Sequence, residues 1–432
     1  MVHDTPARGS DPASAAIVRP AASPLNGLFR MVAGQTAMLF GGFATAQGCA
    51  FLRNAIFAHV LSRGDFGIAA ILILTLQLLE TLAELGADKL IVQADDGASD
   101  AVVGTAQCFQ LIRGVASGVL LIALAAPLAA FYAIPEAAPA FMAIALAPLM
   151  RGFINLDILR AQRALNNRPY ILVEVLPQVI ALAATPFALM YSPTFAAVAI
   201  VAVVQAGAAL IVSHLASSAR IRTVWHPDVA HRMLVYAWPI WASALPVIAV
   251  YHGDRILVAR LLDMEAVAAY SAAFLVTMVP GLIAARVGNA ILLPLLADVK
   301  GDRPVFRARL RVMVMAASIL AALFALSFAL LGGPLLAFAF GDAYAGLGLV
   351  VMLLAVAWAI RMLQVVPGVA LMAIGRTQTL FATGCVRALG LLPAYWVIVE
   401  GYGIAGVAAV AAMAELASLV FLTWRTRRLT AD

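Results

Sequence analysis

Residues 57–93 read FAHVLSRGDFGIAAILILTLQLLETLAELGADKLIVQ. One apolar run closes before Ser62-Arg63-Gly64-Asp65, and a second begins at Phe66 and continues to Leu90. Crossing a hydrocarbon core of about 30 Å takes about 20 apolar residues at 1.5 Å each, so the stretch reads as two membrane helices joined by a tight turn. Strands of a membrane barrel would instead show short alternating segments. Outward from this stretch the pattern repeats along the chain. Spans are predicted near 34–60, 66–90, 104–131, 139–163, 169–191, 194–216, 234–261, 266–296, 309–333, 346–373, 378–399 and 403–424. Composition agrees: of 432 residues 64% are hydrophobic and 12% charged, against about 25% charged in a soluble domain, and the mean hydropathy is +0.99. The expectation is an all-α polytopic membrane protein of about twelve transmembrane helices.

Alternate connections are basic. They carry Arg160, Arg163 and Arg168; Arg220, Arg222 and Arg232; Lys300, Arg303, Arg307, Arg309 and Arg311; and Arg376. The tails add Arg30, Arg425, Arg427 and Arg428, while the intervening connections are poor in Lys and Arg. The positive-inside rule then places both termini in the cytoplasm. Asp95, Asp96 and Asp100 are an acidic exception on the basic side. The pI near 9.5 is thereby a topology signal and gives no reason to invoke nucleic acid. Residues 1–27, rich in Pro, Ala and Ser, read as a disordered cytoplasmic tail and 425–432 as a second tail. Cys49, Cys108 and Cys385 fall inside apolar spans without metal-ligand spacing.

The chain also reads as a repeat. Ile56–Ser62 matches Leu257–Asp263 at an offset of 201 residues, which sets Arg53 and Asn54 against Asp254 and Arg255. Arg151–Arg168 and Arg361–Arg376 echo one another similarly. Two pseudo-symmetric six-helix bundles are expected, at 28–216 and 233–424, joined by a basic linker at 217–232 and enclosing a central cavity.

At this level the chain resembles the polysaccharide transporter (Wzx-type) flippases of the multidrug/oligosaccharidyl-lipid/polysaccharide (MOP) exporter superfamily. The resemblance rests on residues 57–74 with 78–93, on DRILVARLLDMEAVAAYSAAF at 254–274, on AFGDAYAG at 339–346 and on LMAIGRTQTLF at 371–381. It implies transbilayer movement of an undecaprenyl-diphosphate-linked oligosaccharide from the cytoplasmic to the periplasmic leaflet of a bacterial inner membrane. It also implies contact with membrane lipids and with polysaccharide polymerase machinery, and no enzymatic activity. No GxxxxGK[ST] loop for nucleotide is present.

Charged residues inside the spans are the candidate site. Arg53, Arg113, Arg151, Arg255, Arg286, Arg361 and Arg387 lie in predicted spans, where a central Arg costs about 2.5–3.5 kcal/mol on the insertion scale. A guanidinium fork suits the phosphate oxygens of the implied substrate. Family cavities are lined by the first, second, seventh and eighth spans, so Arg53, Arg255 and Arg286 are expected to bind substrate, with Arg151 and Arg361 as further candidates. The alternative is that these arginines pair with Glu80, Glu84, Asp157, Glu174, Asp254 and Glu415 as inter-helix bridges. Gln77, Glu80, Glu84 and Asp88 recur at helical spacing as one polar stripe. Glu80, Glu84 and Asp254 are candidates for coupling to H+ or Na+, with charge balance as the competing reading. Pro239, Pro246, Pro280 and Pro294 read as hinges or static kinks, and His226 and His231 as solvated. No cofactor or metal is expected. An acidic, aromatic cavity would point instead to a multidrug extruder, and a large outer catalytic loop, missing here, to a polymerase or ligase.

Overall fold

The computed structural model describes residues 24–84, 86–299, 301–376 and 378–431. Most of the expected N-terminal tail (residues 1–23) and Lys300 of the basic cluster lie outside the described residues. All regular structure among the described residues is helical, and nine helical stretches are long and apolar enough to cross a membrane.

The first half runs α1 (Pro24–Val60), α2 (Arg63–Leu82), α3 (Ala87–Gln93), α4 (Asp100–Phe131), α5 (Ala138–Ile144), α6 (Leu146–Gly152), α7 (Ile158–Arg163), α8 (Arg168–Tyr191) and α9 (Ala196–Ala216). The second runs α10 (Pro227–Leu261), α11 (Met264–Ala297), α12 (Arg303–Phe340), α13 (Gly348–Ala373), α14 (Gln378–Ala388), α15 (Leu391–Val399) and α16 (Gly403–Ala431). Helix starts follow local chemistry. Ser62 Oγ accepts from Asp65 N at 3.0 Å and Asp263 Oδ1 from Ala266 N at 2.7 Å, each satisfying an orphan N–H of the first turn. Pro227 opens α10, where a missing N–H costs nothing. Outward-facing Leu320, Leu323, Leu330 and Phe338 of α12 are exposed, as a lipid-facing surface requires.

Several boundaries differ from expectation. Helix α1 begins at Pro24, inside the stretch expected as tail, and α16 continues through the expected C-terminal tail. The span expected at 66–90 stops at Leu82, leaving Glu84 beyond the helix end and Asp88 on α3, so the polar stripe is not one helix face. The span expected at 139–163 breaks at Ala145 and ends at Gly152, where α4 crosses so closely that a Cβ on Gly114 would sit 2.5 Å from Gly152 Cα. Beyond it the polar residues are claimed by the connection between the halves. Asn155 Nδ2 donates to Ala219 O at 2.8 Å, and Asp157 Oδ2 accepts from Ser218 N and Ala219 N at 3.0 Å. That connection is thus strapped to the first half over its length to Trp225, which lies against Phe109 at 5.3 Å. Helices α10 and α11 run unbroken past Pro239, Pro246, Pro280 and Pro294.

The two ends of the molecule close differently. At the end holding the Arg-poor turns, a Cβ on Gly67 of α2 would lie 1.9 Å from Met264 O of α11, and Phe66 packs on Phe340 and Tyr344. This apolar seal joins the halves. At the basic end polar links dominate: Arg232 binds Asp96 at 2.8 Å, Tyr236 Oη donates to Gln93 at 2.9 Å, and Arg160 and Arg222 hold Asp100 at 2.5 and 3.2 Å. Asp96 and Asp100 of the acidic exception in the sequence are therefore neutralised by arginines of their own end.

Candidate functional site

Between the halves lies a cavity of ≈ 740 Å³. Helix α2 contributes Gln77 and Glu80, with Glu84 and Asp88 following it; α4 contributes Gln110, Arg113 and Ser117; α6 brings Arg151; α8 brings Tyr170 and Glu174; α10 brings Tyr251, His252 and Arg255; α11 brings Phe274. A second cavity of ≈ 780 Å³ adjoins it and shares Tyr170 and Glu174. Leu39, Phe40, Phe43 and Ala46 of α1 and Ile171 of α8 give it an apolar wall, while Arg286 and Asn289 of α11 sit on its lining. Arg286 lies 3.7 Å from the Phe43 ring centroid, a cation–π contact that leaves its hydrogen-bond donors available.

The predicted arginines separate into three settings. Arg151 forms an ion pair with Glu80 on the cavity wall, both half-buried. Arg255 also faces this cavity: Nη2 donates to Tyr251 O at 2.8 Å and meets His252 Nδ1 at 2.9 Å, with Phe274 stacked 4.7 Å away. Arg53 does not line either cavity. It reaches into the first half and donates to Gln205 Oε1 at 2.8 Å and Gln178 Oε1 at 3.2 Å. Arg361 is enclosed in the second half, where it and Arg387 share Glu415, whose side chain is 3% exposed. Gln364 Nε2 donates to Glu415 Oε2 at 2.9 Å, and its Oε1 accepts from Arg387. Rings of Tyr251 and Trp358 lie 4.6 and 4.5 Å from the Arg361 guanidinium. The paired reading therefore holds for Arg361, Arg387 and Glu415.

The expected coupling carboxylates all have partners. Glu80 holds Arg151, Glu84 accepts from Lys89 at 2.8 Å, and Asp254 Oδ2 accepts from Tyr270 Oη at 2.6 Å. Three charged groups outside the expected binding and coupling sets stand on the cavity without a hydrogen bond or ion pair among the described residues: Arg113, Glu174 and Asp88. The spacing of Gln110, Arg113 and Ser117 at three and four residues was the available signal for the first, and Tyr170 with Glu174 at four residues for the second. Charge on the central lining is four carboxylates against three arginines, so the Arg excess counted over the spans does not carry into this cavity. No cluster of three His, Cys, Asp or Glu with metal-binding geometry occurs among the described residues.

Residues 56–351 match a family described as polysaccharide biosynthesis protein. No curated protein matches the chain. Among solved structures, an inward-facing multidrug resistance MATE family transporter of the MOP superfamily aligns with TM-score 0.74 at 15% identity, covering 89% of this chain and 94% of that one. The lipid II flippase MurJ in an inward closed conformation aligns with TM-score 0.73 at 11% identity, covering 90% and 87%. A MOP superfamily transporter from Pyrococcus furiosus aligns with TM-score 0.62 at 16% identity over 92% and 96%. At these identities the likeness is one of fold.

Proposed function

The chain belongs to the polysaccharide biosynthesis protein family, and from that premise we propose that it flips a lipid-diphosphate-linked oligosaccharide by alternating access. The substrate has three parts in covalent order: an apolar chain, a doubly charged diphosphate and a hydroxyl-rich glycan. The observation that carries the reading is the pair of adjoining cavities. One has an apolar α1 wall suited to a lipid chain, the other is lined with carboxylates, amides and arginines, and they meet at Tyr170 and Glu174. The diphosphate belongs at that junction, within reach of Arg286 on one side and Arg151 on the other. Guanidinium forks there replace the phosphate's lost hydration.

Two six-helix lobes at 28–216 and 233–424 would rock about the cavity, with twelve passes and both termini in the cytoplasm. The apolar seal at Gly67 and Phe66 then closes the periplasmic side, and loading occurs from the cytoplasmic leaflet. Glu80, Glu84 and Asp254 remain the proposed ion-coupling groups; each must exchange its present partner to carry H+ or Na+. Arg53 and Arg361 are proposed as lobe-stabilising cations. Undecaprenyl as the lipid, the bacterial inner membrane as the location, and polymerase machinery as the recipient of the product follow from the same reading. The acidic majority on the central lining favours export of organic cations as a second reading.

Purified protein in liposomes decides between them. A short-chain prenyl diphosphate oligosaccharide should cross from one leaflet to the other, and Arg286→Gln should slow it about tenfold or more, the scale of a lost charge-assisted pair. Export of cationic dyes with no movement of the prenyl diphosphate would establish the extruder instead.

A further inference from the structure

Arg255 is a cavity cation without a carboxylate partner. Its Nη2 contacts are a backbone oxygen and an imidazole nitrogen, and its Nε is buried with no partner. As acceptor for that guanidinium, His252 Nδ1 must be unprotonated, so the ring is the neutral tautomer. The adjacent Asp254 does not complete the pair: Oδ2 accepts from Tyr270, Oδ1 accepts from the Arg255 backbone N at 2.8 Å, and the side chain borders a separate cavity inside the second half. A cation withdrawn from bulk water whose direct hydrogen-bond partners are all neutral is an incomplete ion pair.

Its position says which anion completes it. Helix α11 runs along both cavities, with Arg286 on the apolar one and Phe274, stacked on Arg255, on the central one. Twelve residues separate them, about 18 Å at the helical rise. Phe274, and Arg255 stacked on it, thus stand nearer the seal along α11 than Arg286 does. Arg255 lies six residues from the end of α10, about 9 Å below the apolar seal. A lipid chain held at the α1 wall keeps its diphosphate at the junction, so the group that reaches Arg255 is the far end of the glycan. Resting on the flippase reading above, we infer that Arg255 binds a carboxylate on the distal part of the glycan and makes this protein selective for acidic, uronate-bearing oligosaccharides of short length.

The test uses full-length protein in detergent and two synthetic short-chain prenyl diphosphate oligosaccharides, identical except for a distal glucuronate in one and glucose in the other. The diphosphate is esterified at both ends and carries the same charge in both probes, so the probes differ only by the one charge of the glucuronate. Wild type should bind the glucuronate probe about tenfold more tightly. Arg255→Gln should collapse that ratio to about one, whereas Arg286→Gln should weaken both probes and preserve it. The methyl ester of the glucuronate, tested on unaltered protein, should bind like the glucose probe, which keeps the test independent of how well any variant folds. Equal binding of both probes by wild type, or an unchanged ratio in Arg255→Gln, overturns the inference while leaving the flippase reading intact. Failure of wild type to bind either probe overturns both.

Discussion

Two arginine–carboxylate constructions stand on opposite sides of the cavity wall, and sequence reading treated their arginines as counterparts. Arg361, with Arg387, is locked onto Glu415 in the interior of the second half, where the carboxylate side chain is 3% exposed. Arg151 binds Glu80 on the cavity wall, with side chains 29% and 34% exposed. In the first, the carboxylate is almost fully covered and further held by Gln364 with Ser418 and aromatic rings around it, although Arg361 and Arg387 also border a cavity of ≈ 440 Å³. The second can trade its partner for water or for a phosphate. The same chemistry is therefore structural where the carboxylate is enclosed between helices and exchangeable where both partners are partly exposed on a cavity wall. Asp96 and Arg232 extend the series to the solvent, at 49% and 45% exposed.

Removing the carboxylate from each pair should rank the three. Glu415→Gln strands two guanidinium groups in the second half and should cost about 3–5 kcal/mol in unfolding measurements in detergent. Loss below 1 kcal/mol would mean water reaches the network. Glu80→Gln should cost only about 1 kcal/mol, since the pair is partly solvated. It should tighten binding of a short-chain prenyl diphosphate several-fold, because Arg151 no longer has to leave a carboxylate. Unchanged affinity would show that Arg151 never transfers to substrate.

The exposed pair should matter least and only with acid. Hydrogen bonding from Arg232 holds the Asp96 carboxyl below the usual carboxylate value. A lowered folded value gives stability that is complete above the unfolded value of about 4 and lost as pH falls through the folded one. Asp96→Asn should accordingly change stability at pH 7 by no more than a few tenths of a kcal/mol, and remove that small contribution to acid sensitivity below about pH 4. A larger effect at neutral pH would make this link a principal clamp between the halves.

Helix class, the positions of most spans and the separation of a basic from an Arg-poor end were legible in the sequence, because hydrophobic length and loop charge are local properties. The repeat alignment carried more than the site assignment drawn from it. It sets Arg53 against Asp254 and Asn54 against Arg255. In the structure Arg53 and Asp254 both turn into their own halves, while Arg255 faces the cavity. Arg53 and Arg255 are one residue out of register in that alignment, and one residue rotates a side chain by about 100° on a helix. The helix end at Gly152 escaped the hydropathy pattern because it is set by the Gly114 and Gly152 crossing and by the strap bonded to Asn155 and Asp157, and at the end of α2 the Leu82 carbonyl accepts from Trp241 Nε1 of α10 at 2.9 Å.

Sequence by itself determined that this chain lies in a membrane, that its segments are helices and that the charges inside them demand partners, since burial cost depends on residue type alone. Which charges found those partners within the protein was decided by tertiary structure. Glu415 meets Arg361 across 54 residues and Arg151 meets Glu80 across 71, and only the packing of the helices distinguishes a guanidinium enclosed between them from one left facing the cavity.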